Sequence, residues 1–211
     1  MDHQTRSHLQ QFYDEDALKR NLREAEDWKL QAREEFAEVL RRRRLAQGSS
    51  YRLLELGSGT GRDAHFWSQQ SIEVICLDFS PEMVKLCQGK GLTAHVYDFT
   101  QSLNFEDSSM NAVYCMNSLL HVPKKQLPSV LTEIRRVLMQ DGVFYCGVYG
   151  GRDFEGPMMD DPSGQSRFFA LYTDDGLKKI LSEFFRIVSF ASLDLQNGRY
   201  KFQSAVLTLP S

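Results

Sequence analysis

Leu53-Leu54-Glu55-Leu56-Gly57-Ser58-Gly59-Thr60-Gly61 is an apolar run of strand length that passes directly into a turn with glycine at every second position. Glycine tolerates positive φ and lets backbone amides approach a ligand closely, and a helix leaving such a turn points its positive end at anionic groups. Arg62 to Gln70 is compatible with that helix, and Ile72 to Leu77 is a second apolar run, so the stretch opens a βαβ unit. The spacing is G-x-G-x-G. A nicotinamide or flavin fingerprint needs its third glycine where Arg62 stands, and a P-loop needs Gly-Lys-Ser or Gly-Lys-Thr where this turn continues into Arg62-Asp63.

Outward from the turn the pattern repeats. Ser80, Pro81 and Glu82 start a helix that runs to about Gln88, and Thr93 to Tyr97 is a third strand. Asn111 to Met116 is a fourth. Leu127, Val130, Leu131, Ile134, Val137 and Leu138 recur at helical spacing, with a stop at Asp141-Gly142 before a fifth strand, Val143 to Val148. The eleven residues Asp98 to Ser108 leave room for one helical turn at most between strands three and four. A helix over Asp174 to Glu183 precedes Arg186 to Ser192 and Lys201 to Leu209, two runs joined through Asn197-Gly198, a hairpin signal. Upstream, Asp16 to Ala46 holds neither Gly nor Pro and reads as one long helix ending near Gly48, with Arg41 to Arg44 complementing the dipole of its last turn. The expected fold is α/β: a doubly wound, mostly parallel seven-stranded sheet with a C-terminal antiparallel hairpin.

Composition narrows the class. A chain of 211 residues suits one domain, with 42% hydrophobic and 25% charged side chains, and no run approaches the roughly 20 apolar residues of a membrane helix. The formal charge of -3 supplies no field for gathering nucleic acid. The opening MDHQTRSHLQQFYDED has no apolar core of a secretory signal, and Cys76, Cys87, Cys115 and Cys146 show no CxxC spacing, so a cytoplasmic protein with free thiols is expected. No carboxylate and histidine cluster at metal-ligand spacing stands out, and no metal is expected.

Asp78 and Asp98 follow the second and third strands. An ionised acceptor at the first position suits a ribose diol, and one at the second suits an adenine amino group, with Phe79 and Phe99 offering faces to the ring. Adenosine is therefore the expected ligand.

The series ELGSGTG, LDFSPEM, YDF, MNSLLHVP and EIRRVLMQDGVFY resembles the class I S-adenosylmethionine (SAM)-dependent methyltransferase superfamily over roughly Tyr51 to Gly151. Gln140-Asp141-Gly142 departs from the Pro-Gly-Gly common there. The chain is most similar to small bacterial enzymes acting on small molecules, which share the later strings YGGRDFEG and RFFALYTDD. The resemblance implies a Rossmann-like methyltransferase fold and methyl transfer from SAM, with S-adenosylhomocysteine (SAH) as product. It implies that Glu55 supports the turn and the methionine end, and that Gly57, Ser58, Gly59 and Gly61 pass close to the cofactor. Asp78 would take the ribose; Asp98 and Phe99 would take the adenine, with Phe79 beside the ring and Met83 among the cofactor-binding residues; Asn117 and Ser118 would line the transfer centre. Arg62 is suited to the SAM carboxylate.

On the acceptor side, His121 is the candidate base, since imidazole titrates in the useful range. Residues 150–167 read as a lid loop too broken for helix or strand. Its Asp153, Glu155, Asp160 and Asp161 suit a cationic acceptor, while Tyr149, Arg167, Phe168, Phe169 and Tyr172 suit a pocket wall or an anchor. Residues 1–48 form a helical extension covering the cofactor, with Tyr13 and Trp28 facing it. The expected partner is a small O, N or S nucleophile, handled by a monomer or homodimer. A non-catalytic SAM-binding or regulatory protein, a nicotinamide oxidoreductase and a macromolecular methyltransferase are the alternatives.

Overall fold

Five parallel strands carry the architecture: β1 (Arg52–Leu56), β2 (Glu73–Asp78), β3 (Thr93–Val96), β4 (Met110–Met116) and β5 (Leu138–Gly150). The computed structural model describes residues 2–47, 51–159, 161, 163–195 and 199–210. The helix stop at Gly48, Asp160 and Pro162 of the loop, and the Asn197-Gly198 turn lie outside the described residues. Two further strands, β8 (Arg186–Asp194) and β9 (Lys201–Thr208), pair antiparallel, and β9 pairs antiparallel with β5. The order is β3-β2-β1-β4-β5-β9-β8, a seven-stranded sheet with its hairpin at one edge.

Alternation along the strands makes two cores. Leu54, Ile75, Val113 and Phe144 face one side, where α5 (Leu127–Val137) and α6 (Asp174–Ser182) bring Leu131, Ile134 and Leu181. Leu53, Val74, Tyr114 and Tyr145 face the other, covered by α2 (Asp27–Gln47), α3 (Arg62–Ser68) and α4 (Pro81–Gly89) through Phe36, Trp67 and Val84. A side chain such as Leu54, fully enclosed, contributes about 1.5–3 kcal/mol. The remaining helix, α1 (His3–Leu22), packs on α4 at the end of the sheet, and its buried Leu9, Phe12 and Ala17 stand apart from both cores.

Three expectations need correction. The long N-terminal helix is two, separated at Arg23 to Glu26, because the Arg62 side chain reaches back to the carbonyls of Arg20 (3.3 Å) and Arg23 and ends α1 there. Helix α5 stops at Val137, not at Asp141-Gly142, since Leu138 turns extended and pairs with Met110. The loop read as irregular contains β6 (Phe154–Pro157), which pairs with β7 (Phe168–Leu171) in a second, two-stranded sheet. The β3–β4 connection has no helix, as its length requires. It is held by Arg136 of α5, which donates to the carbonyls of Leu103 and Phe105, both at 2.7 Å.

Candidate cofactor and acceptor site

Strand β1 has β2 on one side and β4 on the other, so the chain leaves it in opposite directions and opens a crevice beyond the carboxyl ends. A cavity of about 240 Å³ lies there, walled by the β1, β2, β3 and β4 ends and roofed by α1 and the α1–α2 turn.

The glycine turn is built by exclusion. Gly57 has φ +75°, and a Cβ on it would stand 2.3 Å from Cβ of Ser118, whose hydroxyl donates to the Leu56 carbonyl at 2.6 Å. Gly59, at φ +52°, has open space where its side chain would be. The Gly59 amide donates to Oδ2 of Asp78 at 2.8 Å, and the Ser80 amide donates to Oδ1 at 3.0 Å. Burial nevertheless raises the Asp78 carboxyl to about 6, with Asp14 nearby adding repulsion. Glu55, beneath the turn, is pushed well above the carboxylate range by burial first and by Asp63 second, and its Oε2 has no partner among the described residues.

At the adenine end, Asp98 Oδ1 accepts from the Thr100 amide (2.9 Å) and hydroxyl (2.6 Å), while Oδ2 pairs with Arg6 at 2.7 Å. Phe99 and Met83 are buried beside it. At the other end Asn117 adopts a left-handed φ of +55°, its amide donating to Gly147 at 2.7 Å. Its Oδ1 is buried and has no partner among the described residues.

His121 sits on the 3-10 turn Leu119–His121, with Nδ1 2.7 Å from the Phe168 carbonyl and Nε2 2.6 Å from the Tyr13 hydroxyl. Burial, with Arg167 and Arg20 assisting, depresses its pKa to about 3. Because a carbonyl only accepts, Nδ1 carries the proton of the neutral ring, and Tyr13 donates to Nε2.

Glu55, Gly57, Ser58, Gly59, Arg62, Asp78, Phe79, Met83, Asp98, Phe99, Asn117, Ser118, His121 and Tyr13 all line this cavity. Gly61 stands behind it, where a Cβ would meet Cys87 Sγ at 2.8 Å. Trp28 does not face the cofactor space: it packs on Phe202 and Tyr149, ring centres 4.4 and 5.9 Å away, because the α2 start turns it onto the β5–β9 surface. Tyr149 is drawn into the same cluster. Arg62 lines the cavity with its guanidinium engaged by α1 carbonyls. The loop acids are likewise committed: Asp161 grips Arg167 at 2.6 and 2.8 Å, Asp153 pairs with Lys124, and Glu155 accepts the Lys124 amide at 3.0 Å. They do not wall a cationic acceptor site. Phe168 contributes its carbonyl, Phe169 its ring against His121, and Tyr172 a face for Lys124. Arg6, Leu9 and Arg20 line the cavity from α1 and carry no motif that would have marked them.

A doubly wound sheet with a glycine turn and two strand-end acids at its switch point is a Rossmann-like fold. Residues 53–142 match the family described as a methyltransferase domain. An uncharacterized methyltransferase of Schizosaccharomyces pombe is 32% identical over a match covering 51% of this chain and 44% of that protein, so the chain spans under half of this curated relative's length. The crystal structure of 1,6-didemethyltoxoflavin-N1-methyltransferase from Burkholderia thailandensis, with 1,6-didemethyltoxoflavin and SAH bound, superposes with a TM-score of 0.73 at 17% identity, covering 100% of this chain and 91% of that one. The [4+2]-cyclase SpnF superposes with a TM-score of 0.63 at 17% identity, covering 77% and 75%. Among the described residues, no group of three or more His, Cys, Asp or Glu is placed to hold a metal, and no helix is long and apolar enough to cross a membrane.

Proposed function

We propose that the protein transfers the methyl group of SAM to an O, N or S atom of a small molecule bound under α1. The observation that carries this reading is Asp78, a buried acid on the cavity wall whose two oxygens organise the glycine turn and keep lone pairs for a ribose diol. Asp98 and Phe99 suit the adenine. Asn117 Oδ1 and Glu55 Oε2, both buried without protein donors, suit an ammonium group at the methionine end.

Bound SAM supplies a methyl group on a cationic sulfur, already a good leaving group. The protein's part is to orient the acceptor's lone pair toward that carbon and to exclude water. The α1 roof supports both tasks. His121, neutral and with both ring nitrogens engaged, serves as a hydrogen-bond partner of Tyr13 and not as a resting general base. The likeness to an enzyme crystallised with 1,6-didemethyltoxoflavin supports a small acceptor. Four buried free thiols suit a reducing, cytoplasmic setting.

The likeness to a cyclase favours a second reading, a SAM-binding protein that transfers no methyl group, because a fold does not fix its chemistry. Calorimetry with SAH followed by incubation of labelled SAM with a small-molecule extract separates the two. Binding with a labelled small product supports methyl transfer. Binding without product favours the second reading, and no binding of SAH or SAM by folded protein removes both.

A further inference from the structure

Helix α1 is attached differently from the rest of the molecule. Its inward apolar side chains join neither core, and Leu18 and Leu22 on its outer face are 71% and 85% exposed. Beside this separate apolar seat of Leu9, Phe12 and Ala17, polar contacts tie it to the ends of the second and third strands. Arg6 pairs with Asp98, Gln10 donates to the Phe79 carbonyl at 2.9 Å, and Asp14 takes the Ser80 hydroxyl at 2.5 Å. An element that shares neither core can open without disrupting them, so its opening governs access to what it covers.

A further tie reaches across the cavity. Asp98, Phe79 and Ser80 all lie beyond β2 and β3, on the adenosine side, whereas Tyr13 extends to His121, beyond β4. The contact is shaped for a single arrangement. Phe168 fixes the proton on Nδ1 of His121, leaving the Nε2 lone pair for the Tyr13 hydroxyl. Arg167 donates to the same phenol oxygen at 3.1 Å and is itself locked by Asp161, with its guanidinium 4.6 Å from the centre of the Phe12 ring. Tyr13 therefore joins α1 to the β4 end and to the residue preceding β7 at one atom.

We infer that Tyr13 is a positioning residue, the latch that holds α1 closed over the cavity, with His121 and Arg167 as its catch. This rests on the reading of the cavity as a SAM and acceptor site. The latch is fastened only when α1 lies across both ends of the site, so it sets the rate at which SAH leaves and keeps water from the transfer centre. The depressed basicity of His121 serves it, because a protonated ring would have no lone pair for the phenol.

The test uses the full chain, the Tyr13→Phe variant and SAH as probe. Losing the phenol's two hydrogen bonds, with His121 and Arg167, predicts a rise of at least about fivefold in the SAH dissociation rate by stopped flow, with the association rate nearly unchanged. Hydrogen exchange at α1 amides rises while exchange in β1 and β4 stays at its wild-type level. The ¹⁵N resonance of His121 Nε2 moves to the position of an imidazole without a donor, a signature that simple loosening of the fold does not produce. His121→Asn also raises the release rate, and the double variant adds less than the sum of the two, since both changes break the Tyr13–His121 contact. An unchanged release rate in Tyr13→Phe overturns the latch, as does faster exchange spread evenly over sheet and helix. If SAH binds neither protein, the SAM reading fails, and α1 exchange in the free proteins still decides the latch: unchanged protection in Tyr13→Phe overturns it.

Discussion

Asp78, at the end of β2, accepts the backbone amide of Gly59, in the turn after β1, at 2.8 Å. The acid proposed to hold the ribose thus also shapes the turn that faces the cofactor, and the two jobs pull on the same charge. Asp78→Asn keeps the shape but sets an amide N–H against one of two backbone donors. It is expected to lower SAH affinity at least about tenfold and to cost roughly 1–3 kcal/mol of stability. Calorimetry and urea denaturation read the two effects separately. Near-wild-type affinity would contradict the ribose assignment.

Acidity should move binding and stability in opposite directions. The folded Asp78 carboxyl is raised to about 6 from an ordinary 3.8, so its contribution to stability is greatest below about 3.8 and is lost as pH rises through 6. Ribose hydroxyls donate to the ionised form. SAH affinity is therefore expected to fall below pH 6, by up to about tenfold per unit. His121, neutral at every pH well above 3, should add no inflection near 6.5. A binding profile flat from pH 7 to pH 5 would sink the linkage.

Two glycines in the turn should fail in different ways. Gly57→Ala places a Cβ 2.3 Å from Ser118 with φ at +75°, and is expected to destabilise the fold by more than about 2 kcal/mol. Gly59→Ala meets no protein atom within 4 Å, so its cost is the left-handed backbone alone, about 1–2 kcal/mol. Its methyl group enters the space assigned to the cofactor, and SAH binding should be lost from folded protein. Thermal melts with calorimetry check the pair; equal SAH affinity in Gly59→Ala and wild type would move the cofactor off this turn.

What sequence could say about this site follows from the range of the interactions involved. The glycine spacing at Gly57 to Gly61 and the strand-end acids Asp78 and Asp98 are local signals, because the periodicity of each βα unit fixes where its strand stops. The sheet followed for the same reason. The break between α1 and α2 left no mark in composition, since it is made by Arg62 some 40 residues downstream. Tyr13 and His121, 108 positions apart, meet only because α1 crosses the sheet end, and Arg6 reaches Asp98 the same way. Trp28 was misplaced because its neighbours, Phe202 and Tyr149, arrive with β9 and β5. The β6–β7 ladder hid among glycines and prolines, where Gly156 at φ +144° interrupts the usual strand pattern.

The helix-free β3–β4 connection should depend on one arginine. Arg136 donates to the Leu103 and Phe105 carbonyls and pairs with Asp107 at 2.7 Å, and Glu133, held down to about 2 chiefly by Arg136, accepts the Leu103 amide at 2.7 Å. Arg136→Ala is expected to cost about 2 kcal/mol and to raise hydrogen exchange over residues 98–109. Because the folded Glu133 pKa lies below its ordinary 4.5, this clamp is intact above that value and is lost as pH falls toward 2. An Arg136→Ala protein as stable as wild type at pH 7 would show that the connection is held by its apolar contacts instead.

Asn117 separates strain from function. Its φ of +55° disfavours most side chains, yet Asn tolerates the left-handed region, and its amide bond to Gly147 needs that backbone. Asn117→Gly keeps the conformation at no steric cost, so stability should stay within about 1 kcal/mol of wild type, whereas Asn117→Ala should lose about 1–2 kcal/mol. Both remove Oδ1, the buried acceptor with no protein donor among the described residues. If that oxygen awaits an ammonium or acceptor N–H, SAH affinity or turnover falls several-fold in both variants, including the stable one. A Gly variant that binds and turns over like wild type would make Asn117 a backbone residue alone, and the left-handed turn at the end of β4 a device for carrying the chain past Gly57.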